Sequence, residues 1–583
     1  MKHLLIVLLA FFALTTAKAE SPNLLIITVD DMSCDSVGAY GCVIPDLTPN
    51  MDRIAAEGMR FDMAHVQVGN CYPSRNVMFS GLYPHTSGIE GFYKIENDFP
   101  VFCDVMQDAG YFAGIRGKVS HSTPYNPYHW DADLTVNEDG SKLHMKDVPS
   151  YGLCLTRGIE MAEAAGKPFA ININISDPHK PFWFPGDPHK VSKEYTADDI
   201  TVPGFLFNDH AVREELALYY TSVRRADDAV GSILDALDAS GKSDNTIVVF
   251  LSDHGMPLPY AKTQLYHHST HTPLMVRWPG VVDPGSVDDA HMVSAIDFLS
   301  TFCEMVGAPI PDGVQGTSFV ALLKGGEQEG RDAVFKEYNE NSGAGRHPIR
   351  GVQTAQYLYL FNPWSDGENV MKTATTGTAT YRRMKELAPE VKTIGDRLEF
   401  FDHRVVEELY DVQKDPDCLV NLVDSKKHRE ALAGMQNRLL EWMKETDDHA
   451  LEAFEGRSDP GVLKAYIDRV QAEANERRAK KRKASGTPKQ LKLIQVRSTR
   501  EGNQLKVSIP HKLPADLGEQ KVHVTLKANK KRVERQILPI KKNGKSEVTF
   551  TIPDDHATAA LSVAAFVGEE YGKHLQIVQH KVE

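Results

Sequence analysis

At 583 residues, with 42% hydrophobic and 25% charged residues, the chain can bury at least one large core and lies outside the disordered and collagen-like classes. Its formal net charge of −14 is unevenly spread: residues 476–583 hold 23 Lys+Arg against 11 Asp+Glu, a net of +12, which leaves −26 on the remainder. An acidic body is a poor general surface for anions, so an anion site there must be a local basic pocket, and no nucleic-acid partner is expected.

Lys2 and His3 precede the apolar run Leu4–Leu14, and Ala17-Lys18-Ala19 is a small-x-small site, so residues 1–19 read as a secretory signal peptide cut after Ala19. That run is too short to span a bilayer, no later run is apolar enough to do so, and no Cys follows the cleavage site to carry a lipid. Export to the periplasm or the medium is expected. Seven cysteines is an odd number for an exported chain. With Cys71 set aside, Cys34, Cys42, Cys103, Cys154, Cys303 and Cys418 form no recognisable framework, and no disulfide is assigned.

Leu24–Val29 is a nearly continuous apolar run, the mark of a strand buried on both faces, and Asp30-Asp31 ends it. Asn50–Gly58 reads as a short helix and a second is expected from about Pro73. Helical periodicity over Val101–Ala109 leads into a strand at Phe112–Arg116, which ends in Gly117-Lys118-Val119-Ser120-His121. Phe169–Ile175 is another buried strand, ending in Asp177-Pro178-His179-Lys180. Ala211–Ala239 is a long amphipathic helix stopped by Gly241. Thr246–Leu251 is a strand ending in Ser252-Asp253-His254-Gly255, and Leu274–Arg277 is a short one. Helices alternating with buried strands imply an α/β fold with a mostly parallel central sheet, whose carboxyl edge is where ligands bind. The polar clusters fall at that edge.

From about residue 335 the pattern changes. Gly351–Phe361, Glu408–Val412 and a helix around His428–Met443 suggest a smaller antiparallel sheet with a closing helix over 335–450. Residues 451–490 read as a charged helical linker. Beyond it, runs of period two such as Leu505/Val507/Ile509 and Val522/Val524/Leu526 predict a small β-sandwich over 491–583.

Carboxylates on rigid strand ends, Asp30-Asp31 and Asp253, suit a hard divalent cation, although Asp also commonly ends strands without any ligand. The imidazole of His254 keeps a transition metal open. Cys71 admits three readings: a core thiol, a thiolate nucleophile or a modified residue. Pro73 suits a first helical turn, which leaves Cys71 near a helix N-terminus where anions are favoured, and Arg75 offers a planar fork for sulfate or phosphate oxygens.

Cys71-Tyr72-Pro73-Ser74-Arg75, followed by the turn Ser80-Gly81-Leu82-Tyr83-Pro84, carries a family resemblance. Together with Thr48-Pro49-Asn50-Met51-Asp52-Arg53, the Lys118 and His179 segments, Asp253-His254-Gly255, Lys262 and Glu408-Leu409-Tyr410-Asp411, it makes residues 23–448 similar to the type I sulfatases of the alkaline-phosphatase superfamily. Phe79 stands where Leu is commoner. The resemblance implies a catalytic domain over 20–334 built on a large central mixed sheet flanked by helices. It implies oxidation of Cys71 to formylglycine by a formylglycine-generating or equivalent maturation enzyme. It also implies one divalent cation, Ca²⁺ or else Mg²⁺, held by Asp30, Asp31, Asp253 and His254 beside residue 71. Arg75 would orient the formylglycine, Lys118, His179 and Lys262 would bind the sulfate oxygens, and His121 matches a catalytic His. In the implied mechanism the aldehyde hydrate attacks sulfur, His179 or Lys262 assists the leaving group, and base removal of a second hydroxyl proton by His121 expels sulfate.

Tyr219–Arg225 and Gly255–Tyr266 resemble the heparan N-sulfatase branch of that family, whereas His254 and the Lys118–His121 spacing resemble its iduronate-2-sulfatase branch. N- and O-sulfated glycans therefore both stay open as substrates. Lys180, Trp183, His267, His268, His271, His347 and Arg350 are candidate substrate contacts, basic and aromatic groups that suit a sulfated sugar, each with an alternative as a solvated loop residue. Other readings are a phosphodiesterase or phosphonate hydrolase on the same scaffold, and a glycan-binding protein with a decayed site. The basic β-sandwich reads first as a solubilising or packing module and second as a tether to a polyanionic glycan or an envelope surface. The sequence sets no oligomeric state.

Overall fold

All eight residues of Asn23–Asp30 are buried, because the strand has sheet neighbours on both edges and side chains covered on both faces. It pairs in parallel with Phe169–Pro178 on one side and Thr246–Ser252 on the other. In this computed structural model, which describes residues 21–582 apart from 138, 343–344, 485–492, 515–516, 530 and 569–574, these strands are the middle of an eight-stranded sheet. The signal peptide expected over 1–19 lies outside the described residues. From one edge the order is Ala132–Asp133, Phe112–Arg116, Phe169–Pro178, Asn23–Asp30, Thr246–Ser252, Leu274–Arg277, Met59–Phe61 and Ser286–Asp288. Only Leu274–Arg277 runs against the rest, so the sheet is mixed.

The helix His210–Ala239 is capped by Asp209, whose side chain accepts from the Ala211 N–H at 2.9 Å. It buries Val212, Leu216, Tyr219, Val223, Ala226, Val230, Ile233 and Leu237, one stripe at the helical repeat. The helix Pro149–Ala164, which the sequence pattern did not announce, packs against it. Gly152 and Gly158 weaken that segment's helical signature. They are there for contact: a Cβ at Gly152 would stand 2.5 Å from the Ser232 carbonyl oxygen.

Ala333–Glu340, Arg346–Thr354, Tyr357–Phe361 and Glu407–Asp411 form a four-stranded antiparallel sheet, against which the helix Arg429–Glu445 packs. The stretch 351–361 is two strands rather than one, turned where the Thr354 hydroxyl accepts from the Tyr357 N–H at 3.0 Å. Two further helices, Ala379–Leu387 and Lys392–His403, lie between Phe361 and Glu407. Arg350 is fully buried in this subdomain and forks onto Asp448, at 2.5 Å and 2.9 Å, just past the closing helix.

The chain divides into two compact units, the first ending at Arg469 and the second starting at Val470, within the helix Pro460–Ala484. The second unit contains a three-stranded and a four-stranded antiparallel sheet sharing one core, in which Leu505, Val507 and Ile509 of one meet Val522, Val524, Leu526 and Val563 of the other.

Burial would raise the Asp448 carboxyl, but Arg350 holds it at about 2, so the pair is charged in the fold. Arg350→Ala should therefore lower stability by about 3–5 kcal/mol, and Arg350→Met/Asp448→Leu should recover most of that loss. Urea unfolding measures both. A variant with reduced turnover and an unmoved urea midpoint would instead return Arg350 to the substrate.

Candidate active site

Four neighbouring parallel strands end at one place. Asp30 closes Asn23–Asp30, and Asp31 turns the chain away at φ 71°. Asp253 and His254 directly follow Thr246–Ser252, and His179 directly follows Phe169–Pro178. Lys118 stands two residues beyond Phe112–Arg116, at φ 49°. Cys71 is the first residue of a ten-residue helix, Cys71–Ser80, in which every residue is buried. Asn70 caps it by accepting from the Cys71 N–H at 3.2 Å, and Gly81 closes it at φ 66°. Pro73 fits because a first-turn N–H has no intrahelical acceptor to lose.

One helical turn on, Arg75 donates from Nε to Asp253 Oδ2 at 3.0 Å and from Nη1 to Asn174 Oδ1, while Nη2 lies 3.7 Å from Asp30 Oδ1. Asn174 in turn donates to the carbonyls of Arg116 and Gly117, at 3.1 and 3.0 Å, which sets the backbone leading to Lys118. Lys118 Nζ pairs with Asp30 Oδ2. Lys262 Nζ lies 2.7 Å from both oxygens of Asp31, and His254 Nε2 lies 3.2 Å from Asp31 Oδ1. The loop carrying Lys262 can close down because residue 255 is glycine: a Cβ there would stand 2.0 Å from the His268 carbonyl oxygen.

Ligand-capable atoms of Asp30, Cys71, Asp253 and His254 all lie within 4.8 Å of one another, and so do those of Asp30, Asp31 and His179. Beyond the Lys118 ion pair at Asp30 Oδ2 and the approach of His254 Nε2 to Asp31, both Asp30 oxygens and His254 Nε2 are buried without a hydrogen bond. Buried polar atoms of this kind leave room for a further partner, and carboxylates with one imidazole suit a hard divalent cation. The residues fit such an ion.

Burial would raise the Cys71 thiol, but the neighbouring imidazoles of His121 and His254 and the charges of Lys118 and Lys262 hold it well below the ordinary thiol range. Position 71 thus favours negative charge. Against burial, Lys118 lowers Asp30 and Lys262 lowers Asp31. Asp253 is pushed up to about 6 by burial and by Asp30, with Arg75 opposing, and its charge and that of Asp31 raise His254 to about 9 despite burial.

Sequence reading passed over the groups behind His179. Lys146, 5% exposed, donates to Asp177 Oδ1 at 2.6 Å and to the His179 carbonyl at 2.8 Å. Arg225 donates to Asp177 Oδ2 at 2.8 Å and to Asp187 at 2.8 Å. Nothing local marks Lys146, but Asn172 and Asn174, polar at alternate positions of a buried strand, were a readable sign of inward hydrogen bonding.

The expected substrate contacts do not assemble as one pocket wall. Lys180 is half-buried and pairs with Glu215 at 3.0 Å; Glu215 also accepts from the N–H groups of Ala379 and Thr380. Trp183 is buried, and the exposed aromatic of its loop is Phe184. His347 is buried edge-on to Trp364, with ring centroids 5.0 Å apart, and Arg350 belongs to Asp448. His268 pairs with Asp417 at 3.0 Å. His267 and His271 stack at 4.6 Å and meet His65, beside the fully buried Lys336. Apart from Trp183, which is buried, each of these side chains found a partner inside the protein.

The family model described as Sulfatase matches residues 22–308, and that described as N-sulphoglucosamine sulphohydrolase, C-terminal, matches residues 253–369. The chain is 27% identical to N-sulphoglucosamine sulphohydrolase of Homo sapiens, over 74% of this chain and 91% of that one. It is 26% identical to an ulvan-active sulfatase of Formosa agariphila, over 74% and 82%. Among solved structures, a putative sulfatase from Bacteroides thetaiotaomicron superposes with a TM-score of 0.55 at 22% identity, covering 76% of this chain and 96% of that one. The phosphonate monoester hydrolase of Agrobacterium radiobacter does so with a TM-score of 0.53 at 18% identity, covering 73% and 96%. These structural likenesses carry the fold.

Two outcomes follow from the supporting groups. Lys146→Met should lower kcat about 10- to 100-fold through a displaced His179, with Lys146→Arg restoring part of it and KM moving less. A loss in KM alone would assign Lys146 to substrate binding. The second concerns acid. Burial, then the proximity of the basic groups Lys336, His271 and His267, hold His65 well below the usual range; burial also lowers His271 to about 4, against the Asp62 carbonyl, with His268 and Lys336 adding to the depression. Such bases stay neutral in the fold and gain protons on unfolding below about pH 6.5, so stability is full above that value and falls toward pH 4. The urea midpoint of the wild type should drop more steeply between pH 7 and 4.5 than that of His271→Gln. Parallel curves would clear the cluster of this role.

Proposed function

The chain belongs to the sulfatase family, and from that premise we propose that it is an exported, formylglycine-dependent hydrolase that releases sulfate from a sulfated glycan, most like an N-sulfoglucosamine sulfohydrolase. It is a hydrolase of sulfuric esters or sulfamates. The observation that carries the finer reading is the convergence of Arg75, Lys118, Lys262 and His179 with three buried carboxylates on residue 71, at the start of a buried helix. The family match running through 253–369, which includes Asp253, His254 and Lys262, supports the N-sulfated substrate.

Converted to formylglycine by a maturation enzyme, residue 71 would supply, as its hydrate, a hydroxyl nucleophile and a second hydroxyl. A divalent cation held by Asp30, Asp31, Asp253 and His254, preferably Ca²⁺, would supply Lewis acidity to the nucleophile and to a sulfate oxygen. The chain's own side chains do the rest. Lys118 and Lys262 neutralise the charge that builds on the sulfate oxygens. Arg75, tied to Asp253 and Asn174, holds the helix turn that carries residue 71. His179, held from behind by Lys146, hands a proton to the departing amine or hydroxyl. His121, whose imidazole acts on residue 71 in lowering its thiol, would take the proton of the second hydroxyl and so expel sulfate.

Sulfate release from N-sulfated saccharides should exceed that from 2-O- and 6-O-sulfated ones. Release confined to O-sulfated sugars would reassign the chain as an O-sulfatase, the reading that its likeness to ulvan-active sulfatases keeps in play. Mass spectrometry of the peptide bearing residue 71 should find an aldehyde in protein from the native host, and Cys71→Ala should lower turnover by about 10³-fold or more. Chelation should abolish activity and Ca²⁺ restore it; rescue by zinc alone would show the ligand set misread.

A further inference from the structure

The second unit carries its positive charge in an ordered way. Gln520–Ala528, Lys531–Ile540, Leu561–Val567 and Gln576–Lys581 form its four-stranded sheet, whose inward side chains Val522, Val524, Leu526, Val563 and Ala565 fill the core. Side chains alternate across a strand, so the register states what the outer face holds. Lys527 pairs with Arg532 on one side and Ser562 on the other, and Ser562 pairs with Lys581. Three cations and a hydroxyl therefore stand in one row across four strands, spanning about 14 Å at the usual strand spacing. In the next row Thr525 lies between Arg535 and Ala564.

Arg532, Arg535 and Lys581 are exposed and Lys527 is half-buried. Arg535 reaches the Thr525 hydroxyl at 3.3 Å and lies 5.7 Å from the Phe566 ring. Among the described residues no Asp or Glu stands on this face, since Glu534, the partner of Leu526, points the other way. The outer face of the three-stranded sheet is different: Lys545 pairs with Glu547 at 2.6 Å and Lys506 lies 3.6 Å from Glu501. Among the described residues, the second face pairs two of its lysines with carboxylates of its own and the first sets none against its row of cations.

We propose that the outer face of the four-stranded sheet docks a polyanionic glycan chain, its sulfate or carboxylate groups set on the rows of Arg532, Lys527, Lys581 and Arg535. The choice of a glycan rests on the sulfatase reading of the first unit. The face itself argues against single-stranded nucleic acid, because the rings described on it, His523 and Phe566, are stacked on each other and buried and offer no platform for bases. Fixed cations on a flat sheet gain affinity by releasing counterions from a linear polyanion, which makes the interaction steeply dependent on salt.

Retention of the full-length protein on heparin-agarose in a sodium chloride gradient tests this. Lys527→Glu/Arg532→Glu/Arg535→Glu should elute at markedly lower salt, with a log Kd against log salt slope smaller by about two to three. Its kcat/KM on a small sulfated saccharide should stay within about twofold of wild type, since no group of the first unit is altered. The control Lys506→Glu/Lys545→Glu should elute as wild type. The milder Arg532→Gln/Arg535→Gln, with thermal unfolding followed alongside, should shift elution in the same direction without altered folding. Unchanged elution of the triple variant overturns the proposal, as does an equal shift in the control. Equal retention of heparin and duplex DNA overturns the glycan assignment. A wild type inert on every sulfated saccharide yet retained through this face would sink the sulfatase reading and leave the docking surface standing.

Discussion

Everything at the catalytic edge depends on mutual neutralisation of charges sealed from water. Asp30, Asp31, Asp253 and Arg75 are completely buried, and Lys262 is nearly so. Neither sign could stay there alone, because desolvating an unpaired charge costs far more than a typical contact returns. The pairing is also uneven in a useful way. Arg75 and Lys262 are committed to carboxylates by short contacts, while Asp30 has the Lys118 ion pair but no hydrogen bond at either oxygen, and Asp253 is pushed up toward the physiological range. Such a site is electrostatically incomplete, which is in keeping with the dication and anionic substrate proposed for it.

The sheet makes this arrangement possible. Parallel neighbours end on the same side, so strands far apart in sequence deliver Asp30, Lys118, His179 and Asp253 to adjacent positions without long loops. That much was legible in the sequence, because buried strands are apolar throughout and the polar run that ends each one stands out. The helix at Cys71 was legible from Pro73, which suits a first turn, while the caps Asn70 and Gly81 that set its two ends emerged with the structure.

What was not legible divides into two kinds. Lys146, Arg225 and Glu215 support the site from behind, yet each looks like an ordinary surface charge until its partner is known, and those partners lie 31, 48 and 35 residues away. The opposite error has the same cause. Arg350, His268 and His347 have the chemistry of sugar contacts, but Asp448, Asp417 and Trp364 engage them within the fold. A sequence shows that a side chain can bind something without showing whether the protein already occupies it. The helix Pro149–Ala164 was hidden by Gly152 and Gly158, whose value lies in how close they let other elements come.

The one reversed strand of the large sheet, Leu274–Arg277, governs where chemical diversity can enter. Antiparallel neighbours begin where the preceding strand stops, so the segment between Ser252 and Leu274 has no need to cross to the far end of the sheet. It spends its whole length on the catalytic side, bringing Lys262 inward on the way. Changing the length of such a segment is cheap, about 0.6 kcal/mol per doubling in closure entropy. The scaffold can therefore be fitted to new substrates by recutting this one excursion, while the strands on either side keep their register and their charges.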